Sequence, residues 1–183
     1  MATENATMAI TKWGLDPTHS EIHFKVKHLM ITTVTGSFNS FTVSAETENN
    51  DFSGAKISFS ADTASVDTGN EQRDGHLKSA DFFDAEKFPK MYFTSTGYAK
   101  KGDEYVLTGD LTIKEVTKAV TLNVEFGGVA KDPWGNTKAG FTLSGKINRK
   151  DFGLNWNAVT EAGGVLVSEE VKILAEIQLV EQQ

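Results

Sequence analysis

The residues able to do chemistry in this chain are few. It has four histidines, His19, His23, His28 and His76, and no cysteine. Disulfides, thiolate metal sites and a cysteine nucleophile are therefore excluded. No two histidines have the spacing that puts a ligand pair on one element, so no metal is expected. His19 and Ser20 are adjacent, and neighbours on a strand face opposite sides, so they are not a base and its nucleophile. Arg73, Asp74 and His76 have the right types for acid–base work. A surface ion pair accounts for Arg73 and Asp74, and capping and solvent exposure account for Asp81 and Asp84. The glycine pairs at 127–128 and 163–164 read as turns, not as a phosphate cradle. No catalytic residue is expected. Alternation directs His28 toward an interior, where it is either a hydrogen-bonded structural group or a polar contact for a ligand head group.

The elements that position these residues are set by composition and period. The 183 residues suggest one domain, 1–183, with 1–11 as a flexible tail. Net charge is -7, which disfavours phosphate neutralisation on nucleic acid and docking on anionic lipid. The nearest thing to a basic cluster is Lys25, Lys27 and His28, alternating on one strand. No run approaches the roughly 18 apolar residues of a membrane span, so stable membrane insertion is not expected. The N-terminus lacks a cationic start followed by an apolar run, so the cytoplasm is the expected location. Of the aromatics, 12 are Phe against 3 Tyr and 3 Trp. Phe adds apolar volume with no polar atom to satisfy, as suits the filling or lining of an apolar interior.

Alternation with period two dominates the chain. Ile22, Phe24 and Val26 share one face, with Glu21, His23, Lys25 and Lys27 on the other. Residues 34–45 carry Phe38, Phe41 and Val43 with a change of parity, which predicts a bulge or bend. Further strands carry Ile57–Phe59–Ala61, Met91–Phe93, Leu107–Leu111–Ile113, Val120–Leu122–Val124–Phe126, Phe141–Leu143–Ile147 and Val171–Ile173–Ile177. Short polar breaks at 100–104, 114–118 and 127–138 imply antiparallel neighbours. Residues 49–51 read as a loop. Eight such strands argue for a sandwich or a closed barrel.

One segment, residues 68–89, breaks the rhythm. Thr68 and Glu71 match a capping box, which predicts a helix running to about Ser79. Gly75 weakens it, and its apolar face is little more than Leu77 and Ala80. Phe82, Phe83 and Phe88 follow, and must bury themselves, most simply against one end of the barrel.

The ordered set Trp13-x-x-Asp16-x-x-His19-Ser20-x-Ile22-x-Phe24, Lys27-His28-Leu29, Gly36-x-Phe38, Arg73-Asp74-x-His76-Leu77-x-Ser79-x-Asp81-Phe82-Phe83-Asp84, Gly109-Asp110-Leu111-Thr112-Ile113 and Arg149-x-Asp151-Phe152-Gly153 resembles the YceI-like family of lipid-binding proteins, over nearly the whole chain. The resemblance implies an all-β fold, an eight-stranded antiparallel lipocalin-like barrel, with a short helical insertion between strands 3 and 4. It implies a long apolar ligand inside, a polyisoprenoid, isoprenoid quinone or fatty-acid derivative, and homodimers. It implies no cofactor beyond that bound lipid. Many members are periplasmic, which is the alternative location if an upstream signal has been removed. Glu115 and Ala119 depart from the usual Gly and Pro of one turn.

The side chains expected on the ligand follow from the inward alternation. They are Phe24, Val26, His28, Phe38, Phe59 and Phe93 on the first half. Leu111, Ile113, Leu122, Val124 and Phe126 come next, then Phe141, Leu143 and Ile147. Leu77, Phe82, Phe83 and Trp156 complete the set. Gly109, Gly145, Ala61 and Ala139 share the inward faces, and their small size is expected to leave room for a tunnel. The leading reading is a non-catalytic lipid carrier or store. The alternatives are an enzyme on such a lipid, using His28 or Arg73, and a ligand-free interaction module.

Overall fold

The computed structural model describes residues 10–48, 51–157 and 166–182. Of the expected loop at 49–51, residues 49–50 lie outside them and Asp51 instead opens a strand; the glycine pair 163–164 and the first nine residues of the expected tail also lie outside them. Its strands are β1 (Ile10–Leu15), β2 (Glu21–His28), β3 (Thr32–Phe38), β4 (Phe41–Glu48), β5 (Asp51–Asp62), β6 (Val66–Asp67), β7 (Lys90–Lys101), β8 (Glu104–Ile113), β9 (Val116–Lys131), β10 (Thr137–Asn148) and β11 (Glu170–Gln182). One helix, α1, spans Glu71–Lys78. Strand pairing starts at Ile10, two residues inside the expected tail.

Eleven strands make only eight staves, because three staves are broken. β1 and β2 both pair with β11, on either side of a 3-10 turn at Pro17–His19. β3 and β4 are one stave bent at residues 39–40, where the change of parity predicts a break. β5 and β6 are one stave interrupted by Thr63–Ser65. All neighbours are antiparallel and β1 closes on β11, so the fold is a closed eight-stranded antiparallel barrel. Closure leaves no edge strand to protect. The helical insertion falls between the third and fourth staves, as expected.

Two turns differ from the sequence reading. Gly127 and Gly128 lie inside β9, not in a turn. The pairing passes from Gly140↔Gly128 to Phe141↔Phe126, so Gly127 is the extra residue of a bulge, and Gly128 has φ 104. The β9–β10 connection shrinks to a tight loop in which the Asp132 carboxylate accepts from the Trp134 and Asn136 amides, each at 2.9 Å. At the β8–β9 turn, Lys114 and Glu115 hold φ 52 and 67, the left-handed region usually given to Gly.

The break between β1 and β2 has a local cause. Pro17 locks its own φ and has no N–H for the ladder. Asp16, only 8% exposed, accepts from the Thr18 hydroxyl at 2.8 Å, and pairs with His19 at 2.9 Å and Lys138 at 2.6 Å. The Lys138 hydrogen bond is the main cause holding the Asp16 carboxyl well below its ordinary value of 3.8. A folded-state pKa below the unfolded one stabilises the fold above the unfolded pKa, and that contribution fades as pH falls through the folded pKa. Asp16→Asn is therefore expected to cost about 2 kcal/mol at neutral pH. Thermal melts across pH should show the gap to wild type narrowing in acid. A gap that stays constant down to pH 2 would count against this role for the carboxylate.

The start of β1, the end of β11 and the β7–β8 and β9–β10 connections gather at one end of the barrel, which is packed shut. Trp13 is 1% exposed, its indole N–H donates to Thr47 at 3.1 Å, and its ring lies 5.0 Å from Phe52. Phe52 in turn packs on Phe126 and Phe141 at 5.6 and 5.1 Å. Each ring fully buried here contributes about 1.5–3 kcal/mol. At the opposite end stand α1, the segment 79–89 and residues 149–157 and 166–168.

The helix is real, but its cap differs from the capping-box expectation. Asn70, not Thr68, is the N-cap, and its side chain accepts from the Arg73 amide at 2.9 Å. Thr68 instead donates to Asp74 at 2.5 Å and accepts from Arg73 Nε at 2.7 Å. An eight-residue helix is marginal alone, so this three-residue brace matters. Phe82 and Phe83 are buried at 7% and 8%, while Phe88 is only half-buried.

Candidate lipid cavity

The barrel encloses a cavity of about 620 Å³, within the range of small-molecule sites. Its walls are aliphatic and aromatic side chains from every stave. Of the expected set, Phe24, Val26, His28, Phe38, Phe59 and Phe93 line it. So do Leu111, Ile113, Leu122, Val124, Phe141, Leu143 and Ile147. Leu77, Phe82, Phe83 and Trp156 line it from the open end. Phe126 does not. It sits in the closed end, between Tyr105, Phe52 and Phe141, because β9 carries it past the cavity floor.

The small residues do not make the space. Gly109, Gly145, Ala61 and Ala139 are absent from the lining. A Cβ on Gly109 would stand 2.4 Å from the Phe93 ring, and one on Gly145 would stand 2.4 Å from Leu122 Cδ2. Gly36 is overlaid in the same way by the Phe24 ring, at 2.3 Å. Each glycine is a recess into which a neighbouring side chain lies flat against the wall. The glycines open the cavity by letting large side chains lie aside, not by lining it themselves.

The mouth is polar on one side and aromatic on the other. Residues 68–89 cover it: Thr68, Asn70, Gln72 and Arg73 reach the cavity beside Leu77, Phe82 and Phe83. His76 and Trp156 meet edge-on at 4.6 Å, and Phe82 lies 5.5 Å from Trp156, so the helical segment and the segment after β10 touch across the opening. His76 also pairs with Asp81 at 2.9 Å. His28 lines the mouth, and among the described residues its ring makes no hydrogen bond to another side chain or to the backbone.

Arg149 is the residue at this end that the sequence reading passed over. It is 3% exposed. Its guanidinium donates to four carbonyls: Ser168 at 2.9 Å, Leu154 at 2.6 Å, Trp156 at 2.8 Å and Val167 at 3.2 Å. Burial pushes its pKa below the ordinary value, with Glu169 opposing. The signal was present: Phe141, Leu143 and Ile147 face inward, and 149 continues that parity. Tyr98 was missed for a different reason. A bulge between Ser95 and Gly97 reverses the parity of β7, and turns Tyr98 inward to 3% exposure.

Arg73 and Asp74 bond to Thr68 and do not pair with each other. Among the described residues no cluster of three His, Asp or Glu side chains could hold a metal ion. What the fold and cavity define is a lipocalin-like barrel built around an apolar interior with a lidded mouth.

The chain belongs to the YceI-like family, whose domain model matches residues 13–179. A UPF0312 protein of Staphylococcus aureus strain MSSA476 is 42% identical over 167 residues, 91% of this chain and 95% of that protein. The crystal structure of the Campylobacter jejuni YCEI protein superposes with a TM-score of 0.73 at 36% identity, covering 92% of this chain and 97% of that one. A domain from Saccharophagus degradans, described as polyisoprenoid binding and implicated in plant cell wall breakdown, has the same fold. Its TM-score is 0.63 at 16% identity, over 93% of this chain and 98% of that one.

Proposed function

We propose that this protein binds one long-chain amphiphilic lipid inside the barrel, a polyisoprenoid, isoprenoid quinone or fatty-acid derivative, and carries or stores it without chemistry. The observation that carries this reading is the 620 Å³ apolar cavity, closed at one end by aromatic rings and polar chiefly at its lidded mouth. A tail placed there gains about 0.8 kcal/mol per buried CH₂. The polyisoprenoid description of the Saccharophagus degradans domain supports the same ligand class. The polar rim of Thr68, Asn70, Gln72, Arg73 and His28 suits a head group near water. Residues 68–89 act as the lid, with Phe82 lying 5.5 Å from Trp156 across part of the opening.

Displacement of a fluorescent fatty acid from delipidated protein by prenyl alcohols and acyl chains is the direct assay. Ala175 lines the cavity from the middle of β11, so Ala175→Phe fills the space without touching the lid. It is expected to weaken probe binding at least ten-fold while leaving the melting temperature near that of wild type. Wild-type protein that takes up neither a prenyl nor an acyl probe would overturn the proposal.

A further inference from the structure

The Tyr98 hydroxyl is the single fully enclosed side-chain polar atom without a hydrogen-bond partner among the described residues. Tyr98 lines the cavity three residues before the β7–β8 hairpin, which places it at the floor, away from the lid. Its ring stacks flat on Tyr105, at 4.9 Å and 2°, and its strand partner is Leu107. A phenol held this way leaves one strong donor unpaired beside an otherwise apolar end of the cavity, at a cost a protein normally avoids.

We propose that the floor of the barrel is a second polar subsite, in which the Tyr98 hydroxyl donates a hydrogen bond to a neutral oxygen at the buried end of the bound chain. The inference rests on the lipid-binding reading and deepens it. The oxygen is neutral because the formally charged side chains on the cavity, Lys27, Arg73 and Arg149, all stand at the lid end. A carboxylate or phosphate on the floor would be buried unpaired. A carbonyl, ether or hydroxyl oxygen carries no such penalty. Burial also pushes the Tyr98 phenol up from its ordinary pKa, so it stays protonated and remains a donor. The ligand is then oxygenated at both ends, or enters the barrel with its neutral polar end first.

The test uses delipidated full-length protein and two matched probe series, ω-hydroxy fatty acids of graded length and their unsubstituted parents, each displacing a fluorescent fatty acid. Tyr98→Phe removes only the hydroxyl, and it is expected to fold with a melting temperature no lower than wild type. At the chain length that reaches the floor, it is expected to weaken the ω-hydroxy acid about ten-fold and leave the parent unchanged or tighter. If the substitution changes both series by the same factor at every length, the subsite is wrong and the lipid reading stands. If neither series binds wild type, the lipid reading fails and takes the subsite with it.

Discussion

Arg149→Ala is expected to lower stability by about 3–5 kcal/mol. That is a large share of the roughly 5–15 kcal/mol that holds a domain folded. The reason is the number of groups left behind. Four carbonyls, from Leu154, Trp156, Val167 and Ser168, now receive N–H donors from one planar guanidinium. Removing it strands the Ser168 and Leu154 carbonyls in a buried site and takes a donor from those of Trp156 and Val167, of which Val167 keeps the Asn157 amide at 2.9 Å. The damage would also reach the ligand. The segment that Arg149 holds includes Trp156, which closes the mouth against His76, and residues 166–168, which brace β2 through the Leu29 amide on the Leu166 carbonyl. Arg149→Lys is expected to recover part of the loss, because an ammonium offers three donors but not the fork. Urea unfolding of the three proteins is the measurement. An Arg149→Ala midpoint equal to that of wild type would show that the carbonyls find other partners.

The second large effect comes from the smallest side chain. Gly109→Ala is expected to cost about 2–3 kcal/mol, although it adds a single methyl group to a strand. The added Cβ would stand 2.4 Å from Phe93 Cζ and 2.5 Å from the Thr94 carbonyl oxygen. The ring can be shortened, but the carbonyl belongs to the ladder between β7 and β8 and cannot move alone. Adding Phe93→Leu in the same chain is therefore expected to restore only part of the loss. Gly75 is the control. Its Cβ would meet nothing within 4 Å, so Gly75→Ala in α1 should be neutral or stabilising by up to about 1 kcal/mol. Equal melting temperatures for Gly109→Ala and wild type would remove the recess account of the cavity.

Much of the architecture was legible in the order of residues, for a simple reason. A barrel wall wets one face and buries the other, so every stave carries a period of two, and eight such runs are visible. The lid was legible because a capping signal and two adjacent phenylalanines interrupt that period. β1 was missed because Ile10–Leu15 offers Trp13 as its single buried residue, too short a run for a period to show. The N-cap was misplaced by two residues because Thr68 has the right type but is committed to Arg73 and Asp74.

The sequence by itself determined the staves, their antiparallel order, the apolar inward faces and the family likeness, all of which follow from local alternation and turn chemistry. Only the tertiary structure decided whether that interior is filled or hollow. The volume left inside depends on where each ring lies, and Phe93 and Phe24 lie over glycines contributed by neighbouring strands. It likewise decided the roles of Arg149 and Tyr98. A charge becomes a brace only when four carbonyls converge on it. A phenol becomes an unpaired donor only when a bulge three residues away turns it inward. The first depends on how the connection after β10 folds back, the second on an irregular register between β7 and β8, and no regular period of two encodes either.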